Sequence, residues 1–215
     1  MKTIKLIFYI LIVSAWTSCS SGDASENPEN IDVKLGGFLK IDTLSVDLDK
    51  AYIEDYGAFG NSYNLDFTAM SAITSKQKAV VYFELFSSVA EDLSEGTYRM
   101  GTYTSATPAT FTKWAQSMLG SYLKVEQKGL AVINGVSIRP DSGVFTVEES
   151  GERYQVSFVG RGTAKHFIDG EMISKADNVP FSMEYVGLVE RHEGVVGYSK
   201  LFPYKRPVKM RRVIF

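Results

Sequence analysis

The feature that most constrains the fold is an alternation of apolar and polar side chains that recurs along most of the chain. Apolar residues occupy every second position within 31–35, 44–48 and 63–69. A period of two puts these side chains on one face of a β-strand and the polar ones on the other. Gly, Asp, Asn or Pro separates nearly all such runs, and about a dozen strands at this spacing are typical of a sandwich or barrel.

Several runs extend this interpretation. Residues 80–86 are apolar on both faces apart from Glu84, which predicts a central strand. Turn signals are predicted at 140–143, 160–162 and 177–178, where Gly, Pro, Asp and Asn cluster. Further strands are predicted at 123–125, 131–138, 145–147, 154–158, 167–173, 181–189, 196–202 and 208–215.

One segment departs from the period of two. Thr110 is a possible N-cap and Gly120 a possible C-terminal stop. Between them, the apolar positions follow the i, i+3, i+4, i+7 spacing of a helix: Phe111, Trp114, Ala115 and Met118. We therefore expect an all-β fold, an antiparallel β-sandwich or lipocalin-like barrel, with one short helix closing one end.

Composition limits how such a domain is stabilised. The chain of 215 residues is 45% hydrophobic and 13% aromatic, which suits β-sheets and supplies a core. Its only cysteine is Cys19, so no pair exists for a disulfide. The net charge of −2 indicates no global affinity for nucleic acid.

The first residues have the organisation of an export signal. Lys2 and Lys5 precede an apolar run over 6–16, which is too short to span a bilayer. Small residues then lead to Cys19. This arrangement resembles the lipobox of bacterial lipoproteins, in which the cysteine sulfur is acylated and the peptide is cut before it. Trp16 departs from the aliphatic residue that is usual in the lipobox, so the alternative is an ordinary secretory peptide with Cys19 as a stray thiol.

The resemblance implies a division of the chain. Residues 1–18 are the lipoprotein signal peptide, 19–30 a lipidated flexible tether without large apolar residues, and 31–215 a single β domain. Ser20 rather than Asp follows the cysteine, which favours the outer membrane of a Gram-negative bacterium, with the domain facing the periplasm or the surface. Stable anchoring requires two or three acyl chains, palmitate among them.

Three short motifs extend the resemblance. Residues 93–98 read LSEGTY, 142–147 read SGVFTV, and 153–158 read RYQVSF. Together with the tether, they resemble outer-membrane lipoproteins of the Bacteroidota type, which are β-rich domains, some of them associated with polysaccharide uptake or adhesion. The resemblance carries over no catalytic residue.

Motifs for metals, cofactors and nucleophilic catalysis are not found in the sequence. His166 and His192 are the only histidines, and the His192 region lacks the second histidine of a zincin. Gly160-Arg161-Gly162 lacks the third glycine of a dinucleotide fingerprint. We therefore expect no catalytic residue, no metal site and no cofactor.

Two weaker candidates for chemistry remain. Glu84, between apolar neighbours, is the best candidate for an acid with a perturbed pKa. The favoured interpretation is a carboxylate that is solvated or that pairs with a basic residue. Trp114, Tyr98 and Tyr103 would suit a stacking platform for sugar rings. The helical stripe that contains Trp114 is more typical of core, so core packing is the favoured interpretation for that residue.

Charge is unevenly distributed along the chain. Nine acids lie within 23–55, whereas residues 200–212 carry six basic residues and no acid. One hypothesis is that the first and last strands are neighbours and pair opposite charges. The other is that the basic end contacts anionic lipid or an acidic glycan.

These observations predict a membrane-anchored lipoprotein with a non-catalytic binding or structural β domain. Its partners would be the membrane, through Cys19, and a glycan or an envelope protein. The alternatives are a surface glycan-processing enzyme, which needs two nearby carboxylates, and a barrel that carries an apolar ligand.

Overall fold

The computed structural model describes residues 35–72, 74–126 and 129–193. They form twelve strands and no helix. The strands are β1 (Gly36–Ile41), β2 (Leu44–Leu48), β3 (Lys50–Phe59), β4 (Ser62–Met70), β5 (Lys78–Ser87), β6 (Gly96–Met100), β7 (Thr110–Phe111), β8 (Gln116–Glu126), β9 (Gly129–Ser150), β10 (Arg153–Ile168), β11 (Glu171–Gly187) and β12 (Val189–Glu193). The all-β prediction is confirmed.

The strands belong to one sheet that closes on itself in part. Its order is β12-β3-β4-β5-β7-β6-β9-β10-β11-β1-β2, and β8 pairs with both β5 and β9. Consequently β5, β7, β6, β9 and β8 form a closed five-stranded barrel, from which the other strands extend. All strand pairs are antiparallel except β12–β3 and β6–β7.

The core is built around the ring of Phe83 on β5. Its centroid lies 5.6 Å from that of Phe111, 4.8 Å from Phe145 and 4.9 Å from Phe158. These four fully buried rings come from four different strands. Their edge-to-face and tilted arrangements are those that aromatic quadrupoles favour. The alternating residues of β5 supply this face of the core, which confirms the prediction of a central strand over 80–86.

Both faces of β4 and β5 are buried. Leu65, Phe67 and Phe83 belong to the hydrophobic core, which lies on the inner face. Asp66 and Glu84, which alternate with them, are only 3% and 2% exposed on the opposite face. We call that opposite face of β3–β4–β5 the outer face. Because it is buried as well, the polar alternation in these strands does not mark a solvent surface.

The predicted short helix is absent, and its residues form strand, turn and strand instead. Thr110 and Phe111 lie in β7, and β8 begins at Gln116. The Thr112 amide donates to Glu84 O, and the Ala115 amide closes a turn on Thr112 O. The helical spacing is misleading because β7 and β8, which flank the turn at 112–115, both pair with β5. Strand pairing therefore satisfies the backbone groups that a helix would have bonded internally.

The predicted turns at 140–143, 160–162 and 177–178 are also wrong, because all three lie inside long strands. Residues 140–143 continue β9, and 160–162 continue β10. The pairing register shifts between Arg161 and Gly162, where Pro140 lies opposite. A further shift between Gly162 and Ala164 leaves Asp177 and Asn178 within β11. Bulges therefore use the Gly, Pro and Asn residues that suggested strand ends.

The export signal, the tether with Cys19 and the predicted strands at 196–202 and 208–215 lie outside the described residues. The pairing proposed between the acidic first strands and the basic residues 200–212 lies outside them for the same reason. Within the described part, β1 pairs with β11 and β2. No helix among the described residues is long and apolar enough to cross a membrane.

Gly160 gives a direct test of the packing around the core rings. A Cβ at this position would lie 2.4 Å from Cζ of Phe158 and 2.4 Å from the Ser142 carbonyl oxygen. We expect Gly160→Ala to lower the free energy of unfolding by about 2 kcal/mol, because overpacking displaces a buried ring. Urea denaturation measures the loss. Val159→Ala, at a site that is 68% exposed, is the matched control and should change stability by less than about 0.5 kcal/mol. Equal midpoints for the two variants would contradict this account.

Candidate functional site

Three carboxylates form a row across the outer face of the sheet. Glu54 on β3 lies opposite Asp66 on β4, and Asp66 lies opposite Glu84 on β5. Directly opposite residues have Cβ atoms about 4.5–5.5 Å apart. All three are buried, at 4%, 3% and 2% exposure. We call Glu54, Asp66 and Glu84 the acidic row. Placing three like charges side by side without water is costly unless donors or cations compensate them.

Neutral donors supply part of this compensation. Tyr56 Oη donates to Glu54 Oε2 at 2.9 Å, and Thr112 Oγ1 donates to Glu84 Oε2 at 2.8 Å. Asn64 Nδ2 donates to Glu84 Oε1 at 3.4 Å. Asn64 is 4% exposed, and its Oδ1 has no hydrogen-bond partner among the described residues. The acidic row therefore has an unused buried acceptor beside it.

One end of the acidic row adjoins β12. His192 lies opposite Glu54 in the parallel β12–β3 pair. Its ring stacks on Tyr52 with centroids 5.8 Å apart. Its Nε2 lies 3.8 Å from Glu190 Oε2. Among the described residues, no cluster of His, Cys, Asp and Glu has an arrangement that fits a metal ion.

Glu84 is the acid that the sequence singles out, and the prediction that it is solvated is wrong, whereas its pairing with a basic residue stays a prediction. It is neither solvated at the rim nor exposed, since it is buried and accepts bonds from Thr112 and Asn64. Sequence reasoning missed Glu54 and Asp66 because acids at alternating positions look like a solvent face. The signal that could have found them was their register with Glu84, which depends on the pairing of β3, β4 and β5.

The three aromatic residues proposed as a sugar platform do not come together on one surface. Tyr98 is fully buried, and its hydroxyl donates to Ser94 O at 2.9 Å. Tyr103 packs on Phe59, with centroids 4.8 Å apart. Trp114 lies in the turn before β8 and is 41% exposed. The core interpretation of its stripe is right for Phe111 and wrong for Trp114.

A second polar cluster joins β12 and β10 to the segment between β5 and β6. Arg191 Nη2 lies 2.6 Å from Asp92 Oδ2 and donates to Tyr154 Oη at 2.6 Å. Tyr154 Oη in turn donates to Asp92 Oδ1 at 2.6 Å. Burial raises the pKa of Tyr154 above its usual value of 10, and the hydrogen bond to Asp92 raises it further. The cluster therefore holds a protonated phenol between two charged groups.

The far end of the β10–β11 hairpin is exposed to solvent. Its turn consists of Asp169 and Gly170, both at positive φ, as two-residue hairpin turns require. Residues 171–178 are all exposed. Ile168, Met172 and Ile173 are 53%, 54% and 59% exposed, and all three lie within three residues of this turn. Single exposed apolar residues are ordinary, but several so close in sequence are less common.

The same hairpin has an open edge. β1 pairs with β11 only from Phe181 onward. Within the described residues, no strand pairs with the other side of β11 before that point. Unpaired backbone groups along such an edge are a template for another strand.

No protein-family model, no curated protein and no solved structure matches this chain.

The Arg191–Asp92–Tyr154 cluster predicts how stability depends on pH. The pKa of Tyr154 is higher in the folded chain than in the unfolded one, so its stabilising effect is complete below about pH 10 and is lost as the pH rises further. Burial raises the pKa of Tyr98 and Tyr185 in the same direction.

We therefore expect the free energy of unfolding to fall above about pH 10, with each tyrosine contributing a slope of up to about 1.4 kcal/mol per pH unit. Tyr154→Phe should make this decline less steep, because one proton fewer is released on unfolding. Urea denaturation at a series of pH values from about 8 to about 11 measures the slope. This range brackets the ordinary tyrosine pKa of about 10. Tyr122→Phe, at a site that is 52% exposed, is the matched control. An identical slope for Tyr154→Phe and the parent chain would contradict the assignment.

Proposed function

We propose that this protein is a lipoprotein, acylated at Cys19 and anchored in the outer membrane of a Gram-negative bacterium, whose β domain binds another envelope protein. The anchor is supported by Lys2 and Lys5, the apolar run over 6–16 and the small residues before Cys19. The resemblance to lipoproteins of the Bacteroidota type supports the same compartment. Binding rather than catalysis is supported by the surface of the β domain.

The observation that carries the proposal is the exposed end of the β10–β11 hairpin. Apolar side chains at Ile168, Met172 and Ile173 are more than half exposed there, beside a β11 edge with no described strand on it. An extended segment of a partner would hydrogen-bond along 171–177 and cover these side chains. Backbone pairing supplies affinity in this mode of recognition, and the apolar contacts supply specificity.

The alternatives are less well supported. A glycan-processing enzyme needs two carboxylates that a sugar can reach, whereas Asp66 and Glu84 are almost completely buried. An apolar ligand needs an internal space, whereas Phe83, Phe145 and Phe158 fill the core with rings in contact. A glycan could stack on Trp114, which is 41% exposed, but it could not reach Tyr98, which is fully buried.

The anchor is tested with Cys19→Ala in the full chain. We expect this variant to lose incorporation of labelled palmitate and to move from the membrane fraction to the soluble fraction. The reason is that stable residence on the membrane needs more than one acyl chain. Ser20→Ala is the matched control and should remain labelled and membrane-bound. Palmitate incorporation that survives Cys19→Ala would refute acylation at this residue.

The binding surface is tested by photo-crosslinking in cells that produce the anchored protein. A photoreactive residue at Ile173 should give one discrete heavier product, whereas the same residue at Val159, which is also exposed, should not. Introducing Met172→Asp should reduce the product at least tenfold (about 1.4 kcal/mol per factor of ten), because a charge replaces an apolar contact.

Other results would refute partner binding at this edge. Equal products at Ile173 and Val159 would show that the contact is not specific. A product of twice the chain mass would show that the occupant is a second copy. Saturable quenching of Trp114 fluorescence by a glycan, with no product at Ile173, would favour glycan binding instead.

A further inference from the structure

The part of the β11 edge that is open to a partner ends at a fixed point. Arg161 on β10 donates to the Asn178 carbonyl oxygen from Nε at 3.1 Å and from Nη2 at 2.8 Å. Its Nε also donates to Asn178 Oδ1 at 2.6 Å. Pro180 has no amide N–H to offer, and its carbonyl oxygen accepts from the Asp42 amide at 2.9 Å. Residues 171–177 therefore remain for pairing with another strand, and all of them are exposed.

Two lysines face each other at this edge. Lys175 on β11 lies directly opposite Lys165 on β10, and like charges in such a pair repel each other. Asp177 compensates one of them, since its Oδ1 lies 2.9 Å from Lys175 Nζ. Among the described residues, Lys165 has no ion-pair partner. The two lysines therefore keep a net positive charge next to the open edge.

The surroundings of this lysine pair are also more basic than acidic. Side chains alternate between the two faces of a strand, so positions 161, 163 and 165 share one face of β10. Thr163 lies opposite Arg139 on β9. The Thr163 hydroxyl lies 2.9 Å from Asp141 Oδ2 and 3.0 Å from Asp177 Oδ1. This face, which we call the lysine side of the hairpin, thus carries four basic and two acidic side chains, all exposed: Arg139, Arg161, Lys165, Lys175, Asp141 and Asp177.

The opposite side of the hairpin has small side chains at its edge. Ala176 on β11 lies opposite Ala164 on β10, and Ser174 lies opposite His166. Ala164 is only 1% exposed, whereas Ala176 is exposed. A strand placed beside β11 therefore has room on this side for a larger apolar side chain, whose burial would be favourable.

We propose, on the basis of the proposed function, that the partner segment at the β11 edge is an acidic amphipathic strand. A carboxylate of this strand lies opposite Lys175 on the lysine side, where opposite charges on neighbouring strands attract. The residues before and after that acid point to the other side and pack against Ala176, because side chains alternate along a strand. A lysine on an exposed edge disfavours pairing with an apolar strand. The same residue that admits an acidic strand thus excludes others.

Photo-crosslinking from Ile173, in cells that produce the anchored protein, tests this assignment. Lys175→Glu should lower the yield of the heavier product at least tenfold (about 1.4 kcal/mol per factor of ten), because two carboxylates then face each other. Lys165→Glu should also lower the yield, and it leaves the ion pair of Lys175 with Asp177 in place. Lys40→Glu makes the same charge change at an exposed position of β1. It is the matched control and should leave the yield unchanged.

The sequence of the crosslinked partner peptide supplies the second readout. Lys175 lies two residues after Ile173, so tandem mass spectrometry should find Asp or Glu close to the crosslinked position, with apolar residues alternating beside it. Lys175→Arg keeps the charge and should retain the product.

Two kinds of failure are distinguishable. A product that persists undiminished in both Lys175→Glu and Lys165→Glu, or a partner peptide without an acid, would overturn the acidic strand and leave partner binding intact. The lack of any product at Ile173 in the parent chain would refute partner binding itself, and this inference with it.

Discussion

Packing around Phe83 is the interaction on which the rest of the fold depends. Its ring contacts rings from β7, β9 and β10, so strands far apart in sequence are held at fixed distances. Protein interiors are close-packed, and a ring in such a position cannot move alone. The ring of Phe158 lies so close to Gly143 and Gly160 that neither position has room for a side chain.

The same packing makes β4 and β5 central and so creates the outer face. A central strand that is covered on both faces buries its polar side chains as well as its apolar ones. Here those positions carry Asp66 and Glu84, next to Glu54. Buried polar groups are tolerated when they are bonded and neutralised. The acidic row therefore depends on specific hydrogen-bond donors, among them Tyr56, Thr112 and Asn64.

The core and the far end of the β10–β11 hairpin are opposite in character. The core is filled with aromatic rings, which makes the β domain a rigid support. The far end of the β10–β11 hairpin, in contrast, combines exposed Met172 and Ile173 with an open edge. Rigid scaffolds commonly present their recognition elements on such projecting segments. Under the proposed function, a tether after Cys19 would let this hairpin meet a partner at some distance from the lipid.

Alternation of apolar and polar residues is a local property of the chain, so the sequence predicts the all-β class and most strand positions. Short contiguous patterns also identify β5 as central and predict the export signal. The sequence could not determine whether Pro140 or Asn178 ends a strand or lies in a bulge, since that depends on the partner strand. The spacing of Phe111 and Trp114 likewise matches a helix, because the pairing with β5 that makes this segment extended is not visible in the local sequence. That Glu54, Asp66 and Glu84 meet is visible only in the folded chain, because strand register joins residues that are 12 to 30 positions apart and no local pattern encodes it.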